Sequence, residues 1–159
     1  MVDIVSRPDE VTPSWLTQAL RDSGHLADGA VTGFDHSIIG TGKIGDNARF
    51  VLQYQGERGG APESLIIKFP AEDETARMMA GAQGAYYTEV MFYRHLAART
   101  RMRTPALYAN EIREDRQLVT TAMEDMSPAQ PGRQFVGESQ APARVAVAEA
   151  AILAAGFDG

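Results

Sequence analysis

The chain has 159 residues, of which 44% are hydrophobic and 23% are charged, the composition of a globular protein rather than a disordered or fibrous one. It has no cysteine, which excludes disulfides, thiolate metal sites and cysteine nucleophiles. The net charge of −6 argues against a broad electrostatic contact with nucleic acid or anionic lipid. Neither a signal-peptide pattern nor an apolar run of roughly 18 residues is present, so we expect a cytoplasmic protein without a membrane partner.

The amino-terminal half begins with a helix and continues as strands. Thr12 is suited to cap the helix, Pro13 to occupy its first position and Gly24 to end it. Strand patterns follow at residues 31–39, 48–54 and 65–67. The first two flank a glycine turn, which predicts a hairpin.

The carboxy-terminal half contains the strongest helix pattern of the sequence, over residues 85–98. Two strand candidates, a linker rich in Pro, Gly, Gln and Ser, and an alanine-rich helix then follow in order, at residues 106–113, 117–123, 127–142 and 143–155. We therefore expect an α+β protein in which an about five-stranded, mostly antiparallel sheet carries one long packed helix and smaller flanking helices.

The glycine turn Gly40-Thr41-Gly42-Lys43-Ile44-Gly45 fits the pattern G-x-G-x-x-G, which lets backbone amides approach phosphate oxygens. Alone the pattern is a weak signal, and an ordinary turn is the alternative. A dinucleotide-binding site would need a helix to open at the glycines. The alternation of Phe50, Leu52 and Tyr54 predicts a strand instead. Strand, glycine loop, strand and then a lysine on the next strand is the order of a protein-kinase-like nucleotide site.

That lysine is Lys68, in an apolar strand pattern where an ammonium is costly unless an anion meets it. On a helical projection of residues 86–97, Glu89 falls near the middle of a continuous apolar face. We predict that Glu89 pairs with Lys68, with both groups withdrawn from water. A purely structural ion pair is the alternative. The glycine turn upstream favours the functional interpretation, in which Glu89 directs the ammonium toward nucleotide phosphates.

In order and spacing these residues resemble the amino-terminal lobe of the aminoglycoside phosphotransferase and choline-kinase-like small-molecule kinases, particularly the ecdysteroid-kinase-like branch. The resemblance covers roughly residues 10 to 135. Its motifs are Thr12-Pro13-Ser14-Trp15-Leu16, the glycine turn, Ile66-Ile67-Lys68, Tyr86-x-x-Glu89-Val90-x-Phe92-Tyr93 and the run Leu118 to Met126 with its Glu-Asp-apolar end.

The resemblance implies a protein-kinase-like N-lobe that binds ATP. The glycine turn would cover the triphosphate, Lys68 would contact its α- and β-phosphates, and Glu89 would orient the lysine. A hinge would bind adenine through the carbonyl of Glu124 and the amide of Met126. The implied binding residues are Gly40, Gly42, Gly45, Lys68, Glu89, Glu124 and Met126. The implied division is an N-lobe over residues 1–126, a linker over 127–142 and the start of a second lobe over 143–159.

The family's catalytic loop, His-Gly-Asp-x-x-x-x-Asn, does not occur in these 159 residues, where His25, His36 and His95 all precede the hinge. We expect no catalytic residue and no metal ligand here, a truncated chain inactive alone, and Mg²⁺ only with the absent lobe. The complete family would phosphorylate a hydroxyl of a small-molecule acceptor. The alternative is a non-catalytic nucleotide-sensing or interaction module. Residues 143–159 are expected to self-associate or to fray, because their apolar face lacks a partner.

Overall fold

The structure, a computed structural model, describes residues 2–40, 44–129, 132 and 135–157. The chain forms two compact units. The first comprises Met1–Val90 with Ala106–Asp125, and the second comprises Met91–Pro105 with Met126–Gly159. The expected N-lobe over residues 1–126 is thus not one of these units, because residues 91–105 belong to the second unit and the first ends at Asp125.

The first unit is built on five strands, as the sequence predicts. They are β1 (Ala30–Ile39), β2 (Gly45–Gln55), β3 (Ser64–Pro70), β4 (Leu107–Ile112) and β5 (Val119–Glu124). Every neighbouring pair is antiparallel, and the order across the sheet is β1-β2-β3-β5-β4. The expected α+β class with a five-stranded antiparallel sheet is confirmed, and β3 is its central strand.

One face of the sheet is covered by the first helix, α1 (Pro13–Asp22). Thr12 caps it as predicted, because its Oγ1 accepts a hydrogen bond of 3.1 Å from the amide of Trp15. The helix buries its apolar side against alternate residues of the strands, which include Phe50, Leu65 and Ile67, each 0% exposed. Burying each such side chain contributes about 1.5–3 kcal/mol, so this interface is the main core.

The segment before α1 is tied to the same face. The hydroxyl of Thr120, a buried residue of β5, accepts from the amide of Val5 at 2.9 Å and donates to its carbonyl at 2.6 Å. The Thr120 side chain thereby takes the place of the backbone of a neighbouring strand and satisfies both the amide and the carbonyl of Val5. The amino-terminal segment is consequently fixed before the helix begins.

Two helices follow β3. The first, α2 (Glu74–Ala82), was not expected from the sequence; the carboxylate of Asp73 caps it by accepting from the amide of Ala76 at 2.7 Å. The second, α3 (Ala85–Met91), is shorter than the helix predicted over residues 85–98. A π-helical turn (Phe92–Leu96) and a 3₁₀ turn (Ala97–Arg99) continue it. The chain is therefore helical over the predicted span, but its winding is that of a regular α-helix only as far as Met91.

The second unit contains the last helix, α4 (Gln140–Ala155), which begins inside the predicted linker. None of its residues is buried, and Val145 is 63% exposed. At its end the amide of Gly156 donates to the carbonyl of Ile152 at 3.2 Å, and the guanidinium of Arg99 lies 5.3 Å from the centre of the Phe157 ring. In the part of the chain that the structure describes, no helix has the length and apolar character that crossing a membrane requires.

Candidate functional site

Lys68 lies in the middle of the sheet, on the face opposite α1. Its Cα is paired with that of Asn47 on β2 and with that of Thr121 on β5. Successive side chains of a strand point to opposite faces, so the burial of Ile67 and Phe69 against the α1 side directs Lys68 to the other side. The lysine is therefore held by two neighbouring strands.

Helix α3 lies against this second face. Tyr86 and Val90, one helical turn apart, are its buried residues, with exposed fractions of 7% and 0%. The carbonyl of Val90 accepts from Nδ2 of Asn110 on β4 at 3.1 Å, and Oδ1 of Asn110 accepts from the hydroxyl of Thr121 at 3.1 Å. These bonds fix the end of the helix over β4 and β5.

The structure brings Lys68 and Glu89 together. The ammonium of Lys68 donates to Oε1 of Glu89, so the strand and the helix meet through opposite charges. The two side chains are 37% and 38% exposed, which corrects the expectation that both are withdrawn from water. The projection that placed Glu89 mid-face assumed a regular helix to residue 97, but the helix changes its winding at Phe92. The buried side is that of Tyr86 and Val90, and Glu89 lies at its edge.

A cavity of about 160 Å³ opens beside the pair. Ile44, Gly45, Asn47, Lys68, Tyr86 and Glu89 are among its lining residues. The volume equals that of roughly five water molecules and is about half of the smallest pockets that enclose a drug-sized ligand. The cavity is thus large enough for a phosphate group and smaller than the pockets that enclose a whole drug-sized ligand.

Ile44 and Gly45, the last two residues of the glycine-turn motif, line this cavity. Gly40 has a φ of +73°, in the left-handed region that favours glycine. At Gly45 a methyl group would overlap the carbonyl oxygen of Phe69, so only glycine permits this approach of β2 to β3. The third glycine, Gly42, lies outside the described residues. Since β2 begins at Gly45, the helix that a dinucleotide-binding turn requires is replaced by a strand.

The predicted hinge begins at Glu124, the last residue of β5. The Cα of Glu124 is paired with that of Leu65, its amide donates to the carbonyl of Ala106 at 2.8 Å, and its Oε2 accepts from the amide of Ala106 at 3.1 Å. Met126 is the first residue of the second unit after β5, and its side chain is 40% exposed. Glu124 therefore belongs to the sheet that carries Lys68, and Met126 to the other unit.

The sequence did not predict the contacts of the side chains that surround these residues. Asp125 is 6% exposed and accepts from Nε of Arg49 at 2.7 Å and from the hydroxyl of Ser64 at 2.8 Å. Tyr86 and Asn47 line the cavity without having been assigned a role. A signal existed for Tyr86, because residues three apart on a helix share a face and Tyr86 precedes Glu89 by three.

A larger cavity, of about 580 Å³, lies elsewhere in the first unit. It is lined by Asp46, whereas the smaller cavity is lined by Asn47, and these successive strand residues point to opposite faces. The larger cavity contains neither Lys68 nor Glu89. We assign the candidate chemistry to the smaller one, because the predicted pair Lys68–Glu89 lines it together with Gly45, the last residue of the glycine turn.

Comparisons of the chain with protein-family models, with curated proteins and with solved structures found no match. Within residues 2–40, 44–129, 132 and 135–157, no three His, Asp or Glu side chains are grouped as ligands of a metal ion. A functional interpretation therefore depends on the residues and geometry of this chain.

Proposed function

We propose that the first unit binds ATP, as the N-lobe-like half of an ATP-dependent small-molecule phosphotransferase whose acceptor is a hydroxyl group. The observation that carries the proposal is the Lys68–Glu89 pair, which lines a phosphate-sized cavity together with Gly45 at the exit of a glycine turn. Residues of β2, β3 and α3 line the cavity, together with Ile44, which directly precedes β2.

The exposure of the pair favours a binding role over a structural one. An ion pair in contact with solvent contributes about 0–1 kcal/mol to folding, so the fold gains little from it. A lysine ammonium has three donors, and one of them is directed to Glu89. The other two are available to phosphate oxygens. Glu89 thus restricts the direction of the cation without occupying all of its hydrogen bonds.

The position of Glu124 fits the length of a nucleotide. Glu124 is paired with Leu65, three residues before Lys68 on β3. At about 3.3 Å per residue, the start of the hinge lies about 10 Å along the strand from the ammonium-bearing residue. The proposed nucleotide places a phosphate in the cavity and its base toward Glu124, outside the cavity.

We propose binding without phosphoryl transfer for this 159-residue chain. Transfer depends on positioning and on metal-assisted stabilisation of the developing charge, which Mg²⁺ and a catalytic aspartate supply in the family that the sequence resembles. The sequence contains no His-Gly-Asp-x-x-x-x-Asn loop. A nucleotide-sensing module is the second candidate for the same reason, because a sensor needs the cation and the turn but no catalytic base.

Calorimetric titration with ATP tests the proposal. We expect Lys68→Ala to raise the Kd for ATP at least about tenfold, because a hydrogen bond to a charged group is worth about 1.5–3 kcal/mol. Arg58→Ala is the matched control, since Arg58 forms an exposed ion pair of 2.9 Å with Glu63 away from the cavity. If Lys68→Ala leaves the Kd for ATP unchanged, Lys68 is not part of the binding site. An absence of ATP binding together with a specific protein partner would favour an interaction module.

For the second unit we propose self-association through residues 143–159. Val145 and Ile152 lie on one side of α4 and are 63% and 38% exposed. We expect sedimentation velocity to show an association that rises with protein concentration and that Val145→Glu weakens. Ala150→Glu, on the opposite side of the helix, is the control. A monomer at every concentration would contradict the proposal.

A further inference from the structure

The hydroxyl of Tyr86 joins three parts of the candidate site. It donates to the carbonyl of Ile44, at the exit of the glycine turn, and accepts from the amide of Ala71 at 3.0 Å. Ala71 directly follows β3, the strand that carries Lys68, and Tyr86 itself lies on α3, the helix that carries Glu89. One side-chain oxygen therefore links the turn, the strand and the helix that form the cavity.

The proton of this hydroxyl is already used in a hydrogen bond within the protein. A phenol has a single proton to donate, and here it is directed to Ile44. Tyr86 is 7% exposed, so water does not readily replace either partner. Loss of the hydroxyl would leave a carbonyl and an amide without their side-chain partner, which costs more than an exposed hydrogen bond does.

We propose that Tyr86 is a positioning residue that holds the exit of the glycine turn beside the Lys68–Glu89 pair and thereby sets the affinity for the phosphate end of the nucleotide. The inference depends on the proposed function, because it concerns the same site. Tyr86 acts through the backbone of Ile44 and Gly45 and needs no contact with the ligand.

The position of the hydroxyl determines which part of the nucleotide should respond. Ile44 and Gly45 line the phosphate-sized cavity together with Lys68, whereas Glu124 lies about 10 Å from Lys68 along β3. Movement of the turn exit therefore changes the wall around the phosphates and leaves the proposed adenine position as it was. A general loss of stability would weaken both parts alike.

The variant that tests this is Tyr86→Phe, which keeps the ring and removes the hydroxyl. We expect the Kd for ATP to rise about tenfold and the Kd for adenosine to stay unchanged, both measured by calorimetry. Tyr54→Phe is the matched control, because the hydroxyl of the half-buried Tyr54 also donates to a backbone carbonyl, that of Pro62, at 2.7 Å. Tyr54 does not line the cavity, so this control should bind both ligands as the unmodified chain does.

The outcomes separate the inference from the proposed function. If the unmodified chain binds ATP and Tyr86→Phe binds it equally well, the inference is overturned and the proposed function is not. Equal losses of ATP and adenosine binding assign Tyr86 a general structural role and also overturn it. An unmodified chain that binds no ATP overturns the proposed function and, with it, this inference.

A measurement on the unmodified chain keeps the inference testable should Tyr86→Phe fail to fold. The amide of Ala71 exchanges its hydrogen only when its bond to Tyr86 opens. We expect saturating ATP to slow exchange at Ala71 and adenosine to leave it unchanged. If the chain binds ATP but ATP does not slow hydrogen exchange at Ala71, the inference is contradicted.

Discussion

The ammonium of Lys68 and the carboxylate of Glu89 meet on the face of the sheet opposite α1, although 21 positions of sequence separate them. The meeting is produced by elements packed around it: Tyr86 and Val90 hold α3 against the sheet, and two neighbouring strands hold β3. The pair itself remains more than one-third exposed. It is therefore positioned by the fold without being part of the core.

We expect Lys68→Met to change the free energy of unfolding by less than about 1 kcal/mol, because a solvent-exposed pair contributes little. Urea denaturation measures this. Arg49→Met is the comparison, because Arg49 pairs with the buried carboxylate of Asp125; it should cost about 2 kcal/mol or more. A loss of about 3 kcal/mol for Lys68→Met would instead identify a structural pair.

Gly45 allows the close approach of β2 to the end of β3, and we expect Gly45→Ala to destabilise the protein by about 1–3 kcal/mol. The added methyl group would overlap the carbonyl oxygen of Phe69, an atom of the backbone that cannot turn aside. Thermal unfolding measures the change. At Gly60 the nearest atom to an added methyl group is 4.0 Å away, so Gly60→Ala should be nearly neutral. Equal effects of the two substitutions would refute the steric explanation.

Local chemistry made much of the fold predictable. Thr12 and Pro13 specify the start of α1, and alternating apolar residues specify the strands, because both signals arise from neighbouring positions. The π-helical turn Phe92–Leu96 was not predictable from periodicity, since a projection assumes the regular winding that this turn interrupts. Helix α2 was missed although Asp73, its cap, is a recognisable start signal.

The candidate site was likewise predictable from the sequence only in part. The pairing of Lys68 with Glu89 was predictable, because the sequence placed opposite charges on a strand and on a helix that the fold packs together. Their exposure was not, since it depends on which side of α3 meets the sheet. The hydroxyl bonds of Tyr86 join residues 42 and 15 positions away, and no pattern of neighbouring residues encodes them. Contacts of this kind are determined by the packing of the elements.

The bond between Thr120 and the amino-terminal segment leads to a third prediction. Thr120→Val keeps the shape of the side chain but leaves the amide and carbonyl of the buried Val5 without partners. We expect a loss of about 2–4 kcal/mol in urea denaturation, together with faster proteolysis before α1. Thr32→Val is the control, because the exposed hydroxyl of Thr32 makes only a 3.3 Å bond to the carbonyl of Gln53. Similar losses for both would contradict the proposed role of Thr120.

The raised pKa of Tyr54 leads us to expect that the protein loses stability in alkaline solution. Burial raises the pKa of its phenol from 10.0 to about 12, so the fold favours the neutral form. The stabilisation is fully present below pH 10, where the phenol is neutral in both states, and is lost as the pH rises toward 12, because the unfolded chain ionises first. We expect Tyr54→Phe to be about 1 kcal/mol less stable at neutral pH, since the bond to Pro62 is lost.

Between pH 10 and 12 the difference between the two chains should shrink, because the variant has no phenol at this position to ionise. Urea denaturation over this range measures it. Burial and the nearby Glu124 also raise the pKa of Tyr108. Tyr54→Phe should therefore retain part of the loss of stability in alkaline solution, and adding Tyr108→Phe should reduce that loss further. If Tyr54→Phe instead loses stability as steeply as the unmodified chain above pH 10, the ionisation of Tyr54 does not control the alkaline limit of the fold.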